Sequence, residues 1–170
     1  MTARQAPRSE AVTVRRAGPA DAPALARLRY EFRAALKPAA EDARAFVARC
    51  EAWMAPRLAD GSAWAAWVAE RGGAVVGTVW VEFFEKMPNP VAEAEAHGYL
   101  TNFYVRDGER GAGTGSRLLE AALDECERRK VHQVLLWPTD RSRPLYERFG
   151  FAVRDDHMAR LVVAPRAPLH

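Results

Sequence analysis

The chain has 170 residues, a length that favours one domain with a sizeable hydrophobic core. Apolar residues make up 49% and charged residues 28%, which is ordinary for a soluble globular protein. The net charge of +3 is scattered rather than gathered into a basic block, so we expect no nucleic-acid partner. No apolar stretch could span a bilayer and the first residues lack a signal-peptide core, so we expect a cytoplasmic protein without membrane contact.

The first predicted elements are a strand followed by two helices. Residues 11–16 have the composition of a strand, and the apolar residues after them recur at helical spacing. A second helix is expected over 41–55, with Pro56 and Gly61 marking its end. The chain therefore begins with one strand and two helices.

A hairpin, which supplies the second and third strands, is followed by a loop and a fourth strand. Two apolar runs flank Gly72 and Gly73, which supply the positive φ angles of a tight turn. Two prolines break residues 86–98 into a loop, and the apolar run 99–105 then predicts a strand.

The last elements are a helix, a strand, a further helical segment and the tail. The helix spans about 114–129, and its solvent-facing side carries two predicted ion pairs, Asp124 with Arg128 and Glu125 with Arg129. A strand with the sequence HQVLLW follows, and two short strands are expected around Asp155 and Asp156. The order of these elements predicts an α/β protein with a mixed sheet.

No repeat or linker divides the chain. We therefore predict a single domain over residues 11–165, preceded by a flexible N-terminus at residues 1–10.

The stretch ERGAGTGS, residues 109–116, carries the clearest chemical signal. A merely flexible turn explains it poorly, because three alternate glycines have a heavy entropic cost when nothing approaches the backbone. A P-loop requires Gly-Lys-Ser/Thr, and the stretch has no lysine. A Rossmann fingerprint that starts at Gly113 fails because Leu118 stands where its third glycine belongs.

The pattern Arg110-x-x-Gly113-x-Gly115 fits an anion-binding site better. Its glycines expose successive backbone N–H groups where the helix begins, and the positive end of the helix dipole acts at the same point. The Arg110 guanidinium and the Ser116 hydroxyl could add contacts. We therefore predict a site for a pyrophosphate.

The sequence FYVRDGERGAGTGSRLL resembles the GNAT superfamily of acetyl-CoA-dependent N-acetyltransferases, whose signature is Gln/Arg-x-x-Gly-x-Gly/Ala. A second family segment appears as LYERFGF at residues 145–151, at the family's usual separation. The resemblance covers the chain from Val12 to about Val163. It implies a GNAT-like fold, in which helices flank a central, mostly antiparallel sheet, and it identifies residues 11–165 as one N-acetyltransferase domain.

The resemblance implies transfer of the acetyl group of acetyl-CoA to a primary amine of a small molecule or peptide, by direct attack in a ternary complex. The pantetheine arm is expected to pair with the backbone of residues 103–105. The same segment can also be an ordinary core strand, and both interpretations can hold together. Many members carry an asparagine at the position of Thr139, so the contact there stays open. The residues expected to contact acetyl-CoA are Phe103, Tyr104, Val105, Arg110, Gly111, Ala112, Gly113, Thr114, Gly115, Ser116 and Thr139.

Tyr146 is the candidate general acid by the same resemblance. A phenol stays protonated at neutral pH and can donate a proton to the departing CoA thiolate. In the other interpretation, Tyr146 is a core aromatic residue beside Phe149 and Phe151.

Glu82, at the end of the third strand, is the first candidate for the general base. It could act on the amine directly or through a water molecule, and the alternative is a solvated surface carboxylate. The further candidates, with the same alternative, are Glu85, Glu93, Glu95 and His97.

The acidic bias of the loop 86–98 is consistent with a cationic amine as the acceptor. His132, His157 and His170 lack metal-ligand spacing, so we predict no metal. The resemblance also admits a homodimer, because dimers are common in the family.

Two other classes of function compete with an enzyme. A non-catalytic acyl-CoA-binding sensor or interaction module is favoured slightly by Thr139 and opposed by the retained Tyr146. A nucleotide-binding protein would instead be stabilised by ATP or a dinucleotide.

Overall fold

The computed structural model of the protein describes residues 11–155 and residue 159. The chain divides after Trp137 into two compact units. Within the described residues, no helix is long and apolar enough to cross a membrane.

Residues 1–10, for which the sequence predicts flexibility, lie outside the described residues. Of the predicted tail strands, only the part up to Asp155 and residue 159 is described, and residues 151–155 form neither helix nor strand. The assignment of one domain to residues 11–165 stays a prediction.

One five-stranded sheet forms the centre of the first unit. Its strands lie in chain order, with antiparallel pairing throughout except between the last two, which are parallel. The predicted mixed α/β fold with a mostly antiparallel sheet is thus confirmed. The strands are β1 Thr13–Arg16, β2 Trp64–Arg71, β3 Ala74–Glu85, β4 Ala96–Val105 and β5 Gln133–Leu135.

Three helices of the first unit cover the two faces of the sheet. Neighbouring residues of a strand point to opposite faces, so each strand contributes side chains to the packing on both. On one face Trp80 of β3 packs in a core with the first two helices. On the other face Gly98 of β4 lies close to Val81 and to Cys126 of the third helix. The helices are α1 Ala22–Ala34, α2 Ala43–Asp60, α3 Thr114–Arg128 and, in the second unit, α4 Arg143–Arg148.

Helix α2 does not end at Pro56, where the sequence predicts its end. It continues to Asp60, because Met54 and Leu58 on either side of the proline are both buried and their packing holds the last turn. Gly61 ends it in the left-handed conformation, with φ of 64°, as expected of a helix C-terminus.

The solvent-facing pattern predicted for α3 is wrong at Glu125. This side chain pairs with Arg129 as expected, but it is only 8% exposed, because Arg16 of β1 also reaches it from the sheet. Arg128 also pairs with Glu125, one position closer than the predicted partner Asp124. The helix therefore has a buried carboxylate at the centre of a cluster of arginines.

Candidate active site

The sheet opens between β4 and β5. Their pairing is confined to three positions, of which Tyr99 with Leu135 is the last, whereas β4 runs on to Val105. Within the described chain, β4 beyond Tyr99 has no neighbouring strand on this side. Its backbone N–H and C=O groups form an edge on which an extended ligand can pair as a further strand. The predicted pantetheine-binding segment, residues 103–105, lies on this edge.

A β-bulge bends β4 at the start of the open edge. The register with β3 shifts between Thr78 and Trp80, and Asn102 of β4 has a φ of 48°. Asparagine is one of the few residues that adopts positive φ at low cost. Nη1 of Arg29 in α1 donates a hydrogen bond of 3.1 Å to Oδ1 of Asn102. The bulge redirects the groups of β4 that follow it, as bulges near active sites often do.

The glycine loop, residues 109–116, leads into the start of α3 with an accessible backbone. Gly111 and Gly113 have φ angles of 84° and 77°, which disfavour any residue with a side chain. A Cβ at either position would meet no atom within 4 Å, so the backbone is approachable from outside. Gly113 is the N-cap of α3, and the first N–H groups of a helix have no acceptor within it.

Arg110 connects this loop to the end of β4. Its Nε donates to the carbonyl oxygen of Val105 at 2.7 Å, and its Nη1 pairs with Asp107. Its guanidinium carbon also lies 5.5 Å from the centroid of the Tyr104 ring. Arg110 thus fixes the position of the loop relative to the open edge, and its direct contact with a pyrophosphate stays a prediction.

Two other predicted contacts of the loop differ in burial. Ser116 is half-buried in the first turn of α3. Thr114 is fully buried, and its hydroxyl has no hydrogen-bond partner in the described part of the chain.

Thr139, in the second unit, takes part in the start of α4. Its carbonyl oxygen accepts hydrogen bonds of 3.0 Å from the N–H groups of Ser142 and Arg143. Its hydroxyl lies 3.0 Å from the hydroxyl of Ser142. The side chain that replaces the family's asparagine therefore stabilises the turn before α4.

Tyr146 lies in α4 of the second unit and is only 6% exposed. Its ring packs edge-on against Phe151, with 5.6 Å between centroids, as the core interpretation expects. Burial raises the pKa of the Tyr146 phenol to about 12, because the phenolate would lose hydration. The hydroxyl is therefore a proton donor over the whole physiological range, which is also what a general acid requires.

The acidic residues of the loop before β4 are largely engaged within it. Lys86 Nζ donates to Glu93 at 2.7 Å and Asn89 donates to the same carboxylate, so the pKa of Glu93 is lowered, first by Lys86. The Asn89 N–H donates to Glu95 at 3.3 Å. These contacts make Glu93 a weak candidate for the base.

Glu82 and His97 occupy the same face of the sheet as Trp80. Glu82 is half-buried and stands opposite Tyr99 in the register of β3 and β4. His97 stacks on Phe84 with 5.5 Å between ring centroids, and its Nδ1 has no partner among the described residues. Burial, followed by the nearby His132, lowers the pKa of His97 and so favours its neutral, basic form.

Sequence reasoning missed Arg29. It stands four residues after Leu25 and three before Phe32, within the apolar face of α1. A charged residue within an apolar helical face is a signal in the sequence that could have identified it. Across residues 11–155 and residue 159, no three His, Cys, Asp or Glu side chains come together as metal ligands.

Comparison with known proteins agrees with this geometry. The sequence model of the acetyltransferase (GNAT) family matches residues 27–151, which is most of the chain. The chain therefore belongs to this family, and it is an acyltransferase with acetyl-CoA as its donor. A comparison with curated proteins found no match.

Solved structures share the fold over almost their whole length. An acetyltransferase from Clostridium acetobutylicum, solved with acetyl-CoA, has a TM-score of 0.75 at 21% identity and covers 89% of this chain and 97% of its own. A GCN5-related N-acetyltransferase from Ralstonia eutropha has a TM-score of 0.70 at 28% identity, with 90% and 100% covered. A ribosomal-protein-alanine N-acetyltransferase from Brucella melitensis has a TM-score of 0.65 at 25% identity, with 91% and 100% covered.

Proposed function

We propose that the chain transfers the acetyl group of acetyl-CoA to a primary amine of a small molecule or peptide, by direct attack in a ternary complex. The observation that carries this proposal is the open edge of β4, which leads within ten residues to the glycine loop. An extended pantetheine arm can pair with the edge while the pyrophosphate binds at the start of α3.

The cofactor would bind mainly through backbone groups. Residues 103–105 would pair with the amides of the pantetheine arm, and residues 111–116 would surround the pyrophosphate with N–H donors. Arg110 supports this arrangement, because it holds the end of β4 and the loop together. A contact with Thr139 belongs to the same proposal.

In the reaction, the nitrogen of the neutral amine attacks the thioester carbon and the carbon–sulfur bond breaks. Backbone N–H groups near residue 103 would stabilise the oxyanion that develops, because such donors are most effective where water is excluded. Tyr146 would give its proton to the departing thiolate. Its raised pKa keeps that proton available but makes the phenol a weak acid, so the transfer depends on a thiolate that is itself desolvated.

The amine must lose a proton during the attack. Glu82 is the base we propose, because it is half-buried on the sheet face, whereas the carboxylate of Glu93 is held by Lys86. His97 is the second candidate, supported by its neutral form and its unpartnered Nδ1 in the described chain.

The test is transfer to a panel of amines followed by free-thiol release and by mass spectrometry of the products. The panel should hold polyamines, aminoglycosides, amino acids and N-terminal peptides; peptides are included because one neighbour at 25% identity is a ribosomal-protein-alanine N-acetyltransferase. We expect equal amounts of thiol and acetylated amine with at least one class. Binding of acetyl-CoA without transfer or hydrolysis in any sample would instead support an acyl-CoA sensor.

A further inference from the structure

Arg29 lies at the bulge of β4, close to the residues that the proposed function places at the reacting group. Its Nη1 donates to Oδ1 of Asn102 at 3.1 Å, one residue before the segment 103–105 of β4. Its guanidinium carbon lies 5.9 Å from the centroid of the Phe32 ring, and the side chain is half-buried.

The charge of Arg29 is not balanced by a carboxylate in the described part of the chain. Burial, above all, lowers its pKa, and Arg33 one turn later adds a charge of the same sign. The other titratable groups that act on it are the thiol of Cys50 and the phenol of Tyr99. Like charges one turn apart on a helix are unfavourable, and burial of an unpaired charge costs more.

A neighbouring residue of the same helix shows that α1 does pair charges elsewhere. Glu31 accepts hydrogen bonds of 2.9 and 2.7 Å from Arg106, at the end of β4. A hydrogen bond to the neutral amide of Asn102 does not require a full positive charge, because an uncharged donor could make it. The charge of Arg29 therefore calls for a further, anionic partner.

We propose that Arg29 binds an anionic group of the acceptor, so that the acceptor is an amine that also carries a carboxylate or a phosphate. This inference rests on the proposed function, which places the acetyl carbonyl against β4 beside Asn102. The bond to Asn102 uses Nη1, and the edge formed by Nε and Nη2 has the shape that binds a carboxylate or phosphate through two parallel hydrogen bonds.

This acceptor differs from the cationic amine that the acidic loop suggests from sequence. In the structure Lys86 forms an ion pair with Glu93 of that loop, and this pair offsets one of the loop's negative charges. At the open edge, Arg29 instead places a positive charge beside Asn102, with no carboxylate partner among the described residues.

The test compares acceptors in matched pairs, with thiol release as the readout. The first set of pairs compares each amino acid with the corresponding amine that lacks the carboxylate. The second set compares aminoalkyl phosphates with the corresponding amino alcohols, so that a preference for carboxylate is distinguished from a preference for phosphate. For the wild-type chain we expect kcat/KM to be about 10- to 100-fold higher for the anionic amine in one of the two sets. This is the fold-change that a hydrogen bond to a charged group produces.

Variants separate binding of the anion from support of the bulge. In Arg29→Gln the ratio of kcat/KM between the anionic amine and its matched amine should fall to near one, mainly through a change in KM. Arg29→Lys should restore part of this ratio. Arg27→Gln is the control, because Arg27 is exposed on the same helix, and it should keep the wild-type ratio. Asn102→Gly removes the acceptor of the Arg29 hydrogen bond but allows positive φ, and it should also keep the preference for the anion.

Two results would overturn the inference while the proposed function stands. The first is a wild-type chain that acetylates both members of every pair equally well. The second is an equal loss for both members in Arg29→Gln that Asn102→Gly reproduces, which would make Arg29 a support of the bulge only. Acetyl-CoA binding with transfer to no amine would contradict the proposed function and this inference together.

Discussion

At the scale of single residues, Tyr146 combines packing with chemistry. Its ring contacts Phe151 and its hydroxyl is kept neutral by burial, so one environment serves the core and a proton donor. The sequence offered these two interpretations as alternatives, and the structure is compatible with both. A kinetic measurement is therefore needed to decide whether Tyr146 is also the general acid.

We expect Tyr146→Phe to lower kcat roughly 10²-fold, the scale for loss of a general acid. Phenylalanine keeps the ring, so acetyl-CoA affinity and folding should change little. Because burial places the pKa of Tyr146 at about 12, kcat of the wild-type chain should show no loss attributable to this group below about pH 11. The measurement is kcat at saturating acetyl-CoA with the most active amine. Unchanged turnover would remove Tyr146 from the mechanism.

At the scale of elements, Glu125 joins α3 to two other parts of the first unit. Arg128 and Arg129 donate to it from its own helix, and Arg16 reaches it from β1 at 3.0 Å. Arg129 also donates to the carbonyl oxygens of residues 61 and 62, in the connection between α2 and β2. Burial alone would raise the pKa of Glu125, but these arginines outweigh it and lower the pKa to about 2.

A lowered pKa means that Glu125 stabilises the fold when it is ionised. The contribution, about 3 kcal/mol, is complete above the unfolded pKa of 4.5 and is lost as the pH falls towards 2. We expect Glu125→Gln to reduce the free energy of unfolding at pH 7 by about 2–3 kcal/mol, since its partners are partly exposed. The difference from the wild type should vanish near pH 2.

The measurement is denaturant unfolding of both proteins between pH 2 and 7. Asp124→Asn is the control, because Asp124 is the exposed neighbour in the same helix. A difference between wild type and Glu125→Gln that stays constant with pH would show that the arginine cluster does not depend on the charge of Glu125.

The sequence predicted the elements more securely than their mutual contacts. Spacing of apolar residues located α1 and α3, and two adjacent glycines located the hairpin turn, where φ is 56° and 75°. The predicted end of α2 was wrong, because the tertiary packing of Met54 and Leu58 outweighs the tendency of Pro56 to break the helix. Local pattern carries no information on which distant arginine will reach a given carboxylate, so the burial of Glu125 was missed.

For the candidate site, the glycine loop was predictable because its chemistry is local. Positive φ at Gly111 and Gly113 is a property of the segment itself. The bulge at Asn102 and its contact with Arg29 were not predictable, since they join residues 73 positions apart. The family resemblance proposed the partners of the cofactor, and the register of β4 and β5 adds the open edge on which they would act.

At the scale of the whole molecule, we propose that two features of the first unit form one binding surface for acetyl-CoA. The open edge of β4 would hold the pantetheine arm and the loop would hold the pyrophosphate. Gly113→Asp tests the second half directly, because it adds a negative charge and a side chain at a φ of 77°. We expect this variant to fold and to lose acetyl-CoA binding.

Binding of acetyl-CoA at this surface is tested most directly by the shift in melting temperature with acetyl-CoA, CoA, ATP and NAD, each at about 100 times a plausible dissociation constant. A specific ligand at that excess adds about 2.7 kcal/mol, which should raise the melting temperature by about 5–10 °C. We predict this rise for acetyl-CoA and CoA alone, and we predict its loss in Gly113→Asp. No rise with either CoA compound, or an equal rise in Gly113→Asp, would contradict the proposed binding surface.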